Sequence, residues 1–505
     1  MRLGCPGWRP LGAAFGLGAV MATGQAPYGL WWLSLPVMAF ALNRLARQDA
    51  VSALWLGWFG GAGYFGLALD WIVSPFMVDA AQDGWMAPFA LLFMAFGMAL
   101  FWAVASGLAV TLRQPLPALV VTFTAAELAR GYVLTGFPWA LIGHIWIDTP
   151  PAQLAALIGP SGLTLATLAV ASLAATAQRT GLVAALAFGG AIWTFGVVQL
   201  GLPDPAPPGV TLRLVQPNAP QQAKWDPDHA QMFFDRLMTA TAAPPQAQAQ
   251  AQAPAPPPAA GKVDLVIWPE TALPYLVADN PDLPAMIGAA GHGAPVVVGL
   301  QRVDGLRGWN SLQVFGPDGG LRASYDKHHL VPFGEYIPLG DLAYDWFGID
   351  QFAAIQGHAY SSGSGPAVLN LGGRLGHILP LICYEAVFPQ DLRVATRPDW
   401  ILQITNDAWF GTLSGPFQHA AQARLRAVEQ GLPLVRVANT GVSEVIDARG
   451  RVTAALPFGT AGFLDAALPG ALPATQYARF GEIPVLLMLL GCAAALLFKF
   501  RRPLA

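Results

Sequence analysis

Apolar positions along the chain fall into two regimes. Up to about residue 200 they run almost unbroken, with no charged residue between Arg9 and Arg44, Asp83 and Arg113, Asp148 and Arg179, or Arg179 and Asp204. A helix needs about 20 apolar residues to cross a bilayer core, and most of these stretches reach that length. The first is long enough for two crossings, broken at Gly24-Gln25-Ala26-Pro27. The pattern predicts eight spans, over 10–24, 28–43, 51–73, 87–112, 115–133, 152–177, 181–201 and 483–498. A secretory leader also opens on an apolar run, but no small-x-small cleavage site followed by a soluble stretch comes after this one. The fifth span carries Glu127 and Arg130 one turn apart on one face, where they can pair.

Between 205 and 480 the period changes. "VTLRLVQPN" (210–218) alternates with period two, the mark of a half-buried strand. "DLVIWPE" (264–270), "APVVVGL" (294–300), "SLQVFGP" (311–317), "HILPLICYE" (377–385), "WILQITND" (400–407) and "LPLVRVANTG" (432–441) are further strand candidates. Several are continuous apolar runs, as expected of strands buried on both faces. Amphipathic helices fit 228–242, 388–397 and 416–430, so the segment is expected to be a layered α/β domain. The Ala/Gln/Pro tract 243–262 has nothing to bury in a core and is expected to be an exposed disordered loop. The expected organisation is a membrane domain over 1–204, an α/β domain over 205–480, and a last helix with a basic tail over 481–505.

Composition supports this division. Hydrophobic residues make up 54% of the chain and charged ones 11%, with mean hydropathy +0.46, a balance that soluble globular proteins rarely show. Net charge of −3 argues against a nucleic acid or other polyanion as partner. Alternate loops hold Arg2 and Arg9, Arg44 and Arg47, Arg113, Arg179, and finally Lys499, Arg501 and Arg502. The opposite loops hold Asp79, Asp83 and Asp148, with Arg130 at a membrane edge. Positive charge concentrates on the cytoplasmic side, which predicts cytoplasmic termini and an α/β domain outside.

The chain has three cysteines, and two of them, Cys5 and Cys492, belong to the membrane part. No disulfide framework is possible, which leaves Cys383 as a lone thiol. A free cysteine is commonly just a buried apolar residue. To act as a nucleophile it needs a base and a nearby cation, because few thiols are ionised at neutral pH.

Glu270 ends "VIWPE", where Pro269 fixes the backbone and Trp268 can shield the carboxyl, raising its pKa toward a useful range. Taken alone, a strand-end glutamate is an ordinary solvated acid. Lys327 opens "KHHLVPFGEYIP"; an ammonium near the thiol would lower its pKa and stabilise an oxyanion. His328 and His329 are expected to point apart on an extended chain, so no metal site is expected there. A papain-like pair would take His377 or His419 as base instead. "DLVIWPE", "HILPLICYE" and "WILQITND" each end an apolar run beside an acidic residue. Sites gather at the carboxyl ends of strands in α/β sheets, which would bring Glu270, Cys383 and Asn406 together.

"WPET", "KHHLVPFGEYIP" and "ICYE" together resemble the nitrilase superfamily, whose Glu–Lys–Cys triad occurs in this order, over about residues 210–466. The resemblance implies an αββα sandwich with Glu270 as general base, Lys327 as oxyanion stabiliser and Cys383 as nucleophile.

Further motifs look like the apolipoprotein N-acyltransferase family within it. They are "KWDP" with Trp225, "GWNS" with Asn310, "LVPFGEYIP" with Glu335, and "ICYE" with Tyr384 and Glu385. So do "ITNDAWFGTLSGPFQHAAQARLRAVEQGLPLVRVANTG", with Asn406 and Trp409, and "TGFPWALIGHIWIDTP" in the membrane part. Eight spans with the sandwich inserted before the last is that family's architecture, and the tract 243–262 departs from it as a local insertion.

The resemblance implies a multi-pass enzyme of the bacterial inner membrane with its catalytic domain on the periplasmic side, using no cofactor and no metal. The acyl chain would pass from a phospholipid, expected to be phosphatidylethanolamine, through a Cys383 thioester to the α-amino group of a diacylglyceryl-cysteine on an apolipoprotein. The oxyanion would lie near Lys327 and the N–H of Tyr384. Supporting roles would fall to Trp225, Asn310, Glu335, Tyr384, Glu385, Asn406 and Trp409. Among these, Glu335 and Glu385 would orient Lys327 and the nucleophile loop. Extracting two acyl chains from a bilayer at about 0.8 kcal/mol per CH₂ costs tens of kcal/mol, so the site is expected at the membrane surface. Trp346, Phe347, Phe352, Trp409 and Phe410 are candidates for an acyl entrance. A membrane-anchored nitrilase-type amidase would use the same triad and pass the acyl group to water. A transporter or sensor with an inactive sandwich would need no triad.

Overall fold

The computed structural model describes residues 5–245, 261–305, 307–336, 338 and 360–501. It divides into two compact units, one of residues 1–203, 410–429 and 474–505, the other of residues 204–409 and 430–473.

In the first unit, helices occupy all the predicted apolar stretches: Trp8–Ala22, Trp31–Leu45, Ala50–Ala68, Ala87–Ala109, Pro115–Arg130, Ala155–Ala175, Arg179–Leu200 and Ile483–Arg501. Among the described residues, three segments are long and apolar enough to cross a bilayer: Gly84–Ala109, Pro150–Ala175 and Arg179–Leu200. Ile483–Phe498 is a shorter apolar helix. Trp8–Ala22 and Trp31–Leu45 have 15 residues each. At 1.5 Å per residue each rises about 22 Å, short of a ~30 Å core. Helix length therefore supports three spans and does not by itself support the expected eight.

Small residues let these helices touch backbone to backbone, as in membrane helix pairs. A Cβ on Gly18 would lie 1.8 Å from the Gly60 carbonyl oxygen, and one on Gly63 would lie 1.9 Å from that of Phe15. The expected Glu127–Arg130 pair forms at 2.8 Å with both side chains buried. Trp102 Nε1 also donates to Glu127 at 2.7 Å, and Arg130 Nη1 donates to the carbonyls of Phe137 and Trp139. Most of the helix Gly415–Gln430 clusters with this unit. Leu425 and Val428 pack on Ala152 and Ala155, and Gln418 Oε1 accepts from Trp139 Nε1 at 2.6 Å.

The second unit is built on twelve strands: β1 (Thr211–Gln216), β2 (Leu265–Ile267), β3 (Val296–Asp304), β4 (Arg307–Phe315), β5 (Leu321–Asp326), β6 (Leu369–Gly372), β7 (Gly376–Ile382), β8 (Trp400–Thr405), β9 (Leu434–Ala438), β10 (Ser443–Ile446), β11 (Val452–Leu456) and β12 (Gly462–Ala467). They form two six-stranded sheets, ordered β12-β1-β2-β3-β4-β5 and β11-β10-β9-β8-β7-β6. Each has a parallel centre, β1-β2-β3 in one and β7-β8-β9 in the other, flanked by antiparallel neighbours.

Alternation in "DLVIW" decides which side faces what. Val266 and Trp268 join Val296, Val298 and the helices Pro227–Ala242 and Leu283–Ala290 in one apolar cluster. Leu265 and Ile267 point the other way and are equally buried. This double burial explains the continuous apolar runs of the central strands.

The seven strand candidates of the sequence all form. β5, β6, β10, β11 and β12 are not among the strand candidates; they carry no continuous apolar run and lie at or near the sheet edges. The helix expected over 388–397 does not form. A 3₁₀ turn, Pro389–Leu392, stands there instead; Arg393 leaves helical geometry, and the Asp391 carboxylate is bound by His329 Nδ1 at 2.8 Å. The tract expected to be disordered lies, over residues 246–260, outside the described residues.

Candidate active site

β2 ends at Ile267, and three residues later Glu270 turns its carboxylate into the domain, where the residue is 5% exposed. Gly299 on β3 makes the approach possible: a Cβ there would lie 2.1 Å from the Pro269 carbonyl oxygen and 2.7 Å from Glu270 Cα. Glu270 Oε1 accepts from Asn310 Nδ2 at 2.7 Å, and Oε2 accepts from the backbone N–H of Asn406 at 2.7 Å. Asn310 Nδ2 lies also 3.2 Å from Glu335 Oε1. One amide therefore spaces two carboxylates.

Lys327 follows β5 and is buried. Its Nζ contacts Glu335 Oε1 at 2.9 Å and Oε2 at 2.8 Å, and lies 3.8 Å from Glu270 Oε1. Burial alone would lower its pKa, but the Glu335 and Glu270 carboxylates hold it well above the usual lysine range. Lys327 is a fixed cation.

Cys383 stands at the end of β7, where the chain turns into a 3₁₀ helix, Cys383–Val387. Its φ is +55°, a left-handed conformation that non-glycine residues rarely adopt. Such strain is retained where the surroundings over-determine it, often at functional sites. Gln403 Nε2 holds its carbonyl at 3.1 Å. Glu385, fully buried, accepts from the Ile382 N–H at 2.7 Å and the His328 N–H at 2.8 Å, tying the end of β7 to the loop after Lys327. Tyr325 also donates to Glu385 at 2.8 Å.

Lys327 was expected to lower the thiol's pKa. It does pull in that direction, as does Thr405, but burial and the Glu270 charge outweigh both and push the thiol well above its ordinary value. Cys383 rests as a neutral thiol.

The structure brings Glu270, Lys327, Cys383, Asn310, Glu335, Glu385 and Asn406 together. Asn406 is further braced by Gln221 and Asn439 through its side-chain amide. The Tyr384 ring packs edge-on against Phe388 at 4.8 Å and against His329, leaving its main chain beside the thiol. Trp225 is 40% exposed, next to Lys224. Trp409 is half-buried in the turn Asp407–Phe410. Phe410 is buried against Trp71 and Trp139 in the helical unit, as core packing. Trp346, Phe347 and Phe352 lie outside the described residues.

His377 is the second residue of β7, at the opposite end of the strand from Cys383, where it faces Asp399 at 3.5 Å. His419 stacks on Trp139 in the helical unit. The strand geometry thus removes His377 as a base.

The adjacent histidines do not point apart as expected. The turn at 328–329 brings both rings to Asp391, with His328 Nε2 at 3.3 Å and His329 Nδ1 at 2.8 Å from Oδ2, and their ligand-type atoms lie within 4.8 Å of one another. His328 Nδ1 also lies 2.6 Å from Glu385 Oε1. Burial opposes the charge on His328, but Asp391 and Glu385 raise its pKa to about 9. Both carboxylates thus already serve an imidazolium.

Sequence reasoning passed over Lys224, Thr271, Tyr325 and Gln403. Lys224 was the most accessible of these, standing immediately before Trp225 in "KWDP".

A two-sheet sandwich with this buried carboxylate–lysine–thiol set defines an enzyme domain of the carbon–nitrogen hydrolase class, and the carbon–nitrogen hydrolase family model matches residues 211–476. The apolipoprotein N-acyltransferase N-terminal domain model matches residues 17–173. An apolipoprotein N-acyltransferase of Rhodopseudomonas palustris is 36% identical over 98% of this chain and 96% of its own length. One of Caulobacter vibrioides is 39% identical over 89% and 86%, and one of Bradyrhizobium diazoefficiens 37% over 99% and 96%. The chain belongs to the apolipoprotein N-acyltransferase family.

Proposed function

We propose that this enzyme transfers a fatty acyl chain from a phospholipid to the N-terminal amine of a lipoprotein, in two half-reactions through Cys383. Phosphatidylethanolamine is the proposed donor and a diacylglyceryl-cysteine the proposed acceptor. The observation that carries the reading is the burial of Cys383, Glu270 and Lys327 in one site, with Lys327 Nζ 3.8 Å from Glu270 Oε1. A neutral thiol needs a base as it attacks, rather than a preformed thiolate.

In the first half-reaction the Cys383 sulfur bonds to the ester carbonyl carbon, and its proton passes to Glu270. The tetrahedral oxyanion is stabilised by Lys327 and the Tyr384 N–H. Collapse breaks the ester C–O bond, and the proton moves from Glu270 to the departing lysophospholipid oxygen. In the second, the acceptor amine attacks the thioester carbonyl carbon and gives a proton to Glu270; the C–S bond breaks and the departing thiolate takes that proton back from Glu270. Glu335 holds Lys327, Glu385 holds the nucleophile loop, and Asn310 and Asn406 aim Glu270. Trp225 and Trp409 are proposed to contact substrate.

The location proposed is the bacterial inner membrane, with eight crossings, both termini cytoplasmic, and the catalytic domain over 205–480 on the periplasmic side. Support comes from the loop charges and from large apolar side chains exposed even on the shorter helices, such as Trp32 and Phe40. No metal is assigned a part.

Mass spectrometry of the full-length enzyme tests the reading. Incubation with phospholipid should add one acyl group at Cys383, discharged rapidly by a diacylated N-terminal cysteine peptide and slowly by water. Discharge by water as fast as by peptide would make the enzyme a hydrolase instead.

A further inference from the structure

The triad uses one buried lysine, and the sandwich holds a second. Lys224 closes the short helix Gln221–Lys224 and is 3% exposed. Its Nζ donates to Thr271 Oγ1 at 2.7 Å and lies 3.3 Å from the Glu270 carbonyl oxygen. The Trp225 ring centroid lies 5.3 Å from the same ammonium. Thr271 has φ +44°, and a non-glycine residue held there costs on the order of 1–3 kcal/mol unless its surroundings fix it. The residue after the proposed base is therefore strained, and Lys224 is bonded to it. Asn310 and Asn406 hold the Glu270 carboxylate, whereas Lys224 holds its main chain.

We propose that Lys224 is a positioning residue for acyl transfer: its ammonium fixes the strained Glu270–Thr271 turn and so aims the Glu270 carboxylate at the Cys383 thiol. The proposal rests on Glu270 being the base in the reading above. It has a consequence in pH. The charged group acting most directly on Lys224 is Glu270, with Lys327 and Glu335 beyond it. Burial lowers the Lys224 pKa to about 8, against the opposing pull of the Glu270 carboxylate. Above that pH the neutral amine keeps donors but loses charge-assisted bonds, which are about twice as strong. Lys327 and Cys383 both titrate well above their ordinary ranges, and His328, at about 9, faces Glu385 and Asp391. Burial thus brings the Lys224 charge within the pH range of the test below.

The test is single-turnover acylation of Cys383 in the full-length enzyme, with phospholipid alone, from pH 6 to 9.5. Omitting the acceptor removes its own α-amino titration, at about 7.7–8.0 in model compounds. Wild type should lose rate on the alkaline side with an apparent pKa near 8. Lys224→Arg should keep acylating and lose that limb, because arginine does not discharge in this range. Lys224→Met should slow acylation by up to about 100-fold, the cost of a misplaced group, with little change in half-saturation by phospholipid. A Lys224→Arg enzyme that keeps the wild-type limb overturns the proposal, even if Lys224→Met does not fold. Wild-type enzyme that never forms a Cys383 adduct would instead overturn the triad reading.

Discussion

The backbone N–H of Asn406 donates to Glu270 Oε2 at 2.7 Å, joining the carboxyl end of β8 in one sheet to the end of β2 in the other. The donor is main chain, so no side-chain change at 406 removes it. Asn310 holds the other carboxylate oxygen through a side chain that can be deleted. Hydrogen bonds to charged groups contribute about 1.5–3 kcal/mol, roughly 10- to 100-fold in rate. Asn310→Ala is expected to slow Cys383 acylation by about that factor, and Asn406→Ala by clearly less. Equal losses in a single-turnover assay would mean that the main-chain bond does not position Glu270.

Glu335 grips Lys327 with both oxygens. Glu335→Gln keeps the shape but removes the charge, leaving Lys327 with Glu270 at 3.8 Å as its remaining carboxylate. The expected result is a fall in acylation rate of about 10- to 100-fold, with the thermal midpoint nearly unchanged. Full activity with normal thioester formation would remove this role from Glu335.

The His328 imidazolium bound to Asp391 and Glu385 makes stability depend on pH. Its pKa rises from about 6.5 unfolded to about 9 folded. A raised folded pKa contributes stability that is fully present below pH 6.5 and lost as pH climbs through 9. The thermal midpoint advantage of wild type over His328→Gln should therefore be largest near pH 6 and shrink toward pH 9.5. An advantage constant across that window would show that His328 acts through packing alone.

Arg130 has more partners than Glu127. Besides the ion pair at 2.8 Å it caps the carbonyls of Phe137 and Trp139. Removing one partner of a buried pair costs about 3–5 kcal/mol, and Arg130→Met also orphans two carbonyls. It should lower the thermal midpoint in detergent further than Glu127→Gln does. The reverse order would place the stabilisation in the Trp102–Glu127 bond instead.

Much of this could be read from residues because each signal was local. Strand-ending motifs put Glu270, Cys383 and Asn406 at strand termini, and a parallel-centred sandwich gathers such termini. Spacing of three residues predicted the Glu127–Arg130 pair. What escaped depended on partners distant in sequence. Lys224 looks like a surface lysine until Thr271, 47 residues away, is seen beside it. The turn that aims His328 and His329 at Asp391 has no periodic signature, and the 3₁₀ turn Pro389–Leu392 that carries Asp391 replaces a helix that 388–397 favoured by amphipathicity. The partner of the helix Gly415–Gln430 was equally hidden: its apolar face is legible, but not the Ala152 and Ala155 it covers.

The resting state of Cys383 bears on its survival as well as its reactivity. Oxidants and disulfide-exchange partners react with thiolates, not with protonated thiols. A sulfur that is buried and held as the neutral thiol is therefore a poor target for them. The same burial that would make the proposed nucleophile depend on Glu270 also shields it from disulfide formation and sulfenic acid chemistry.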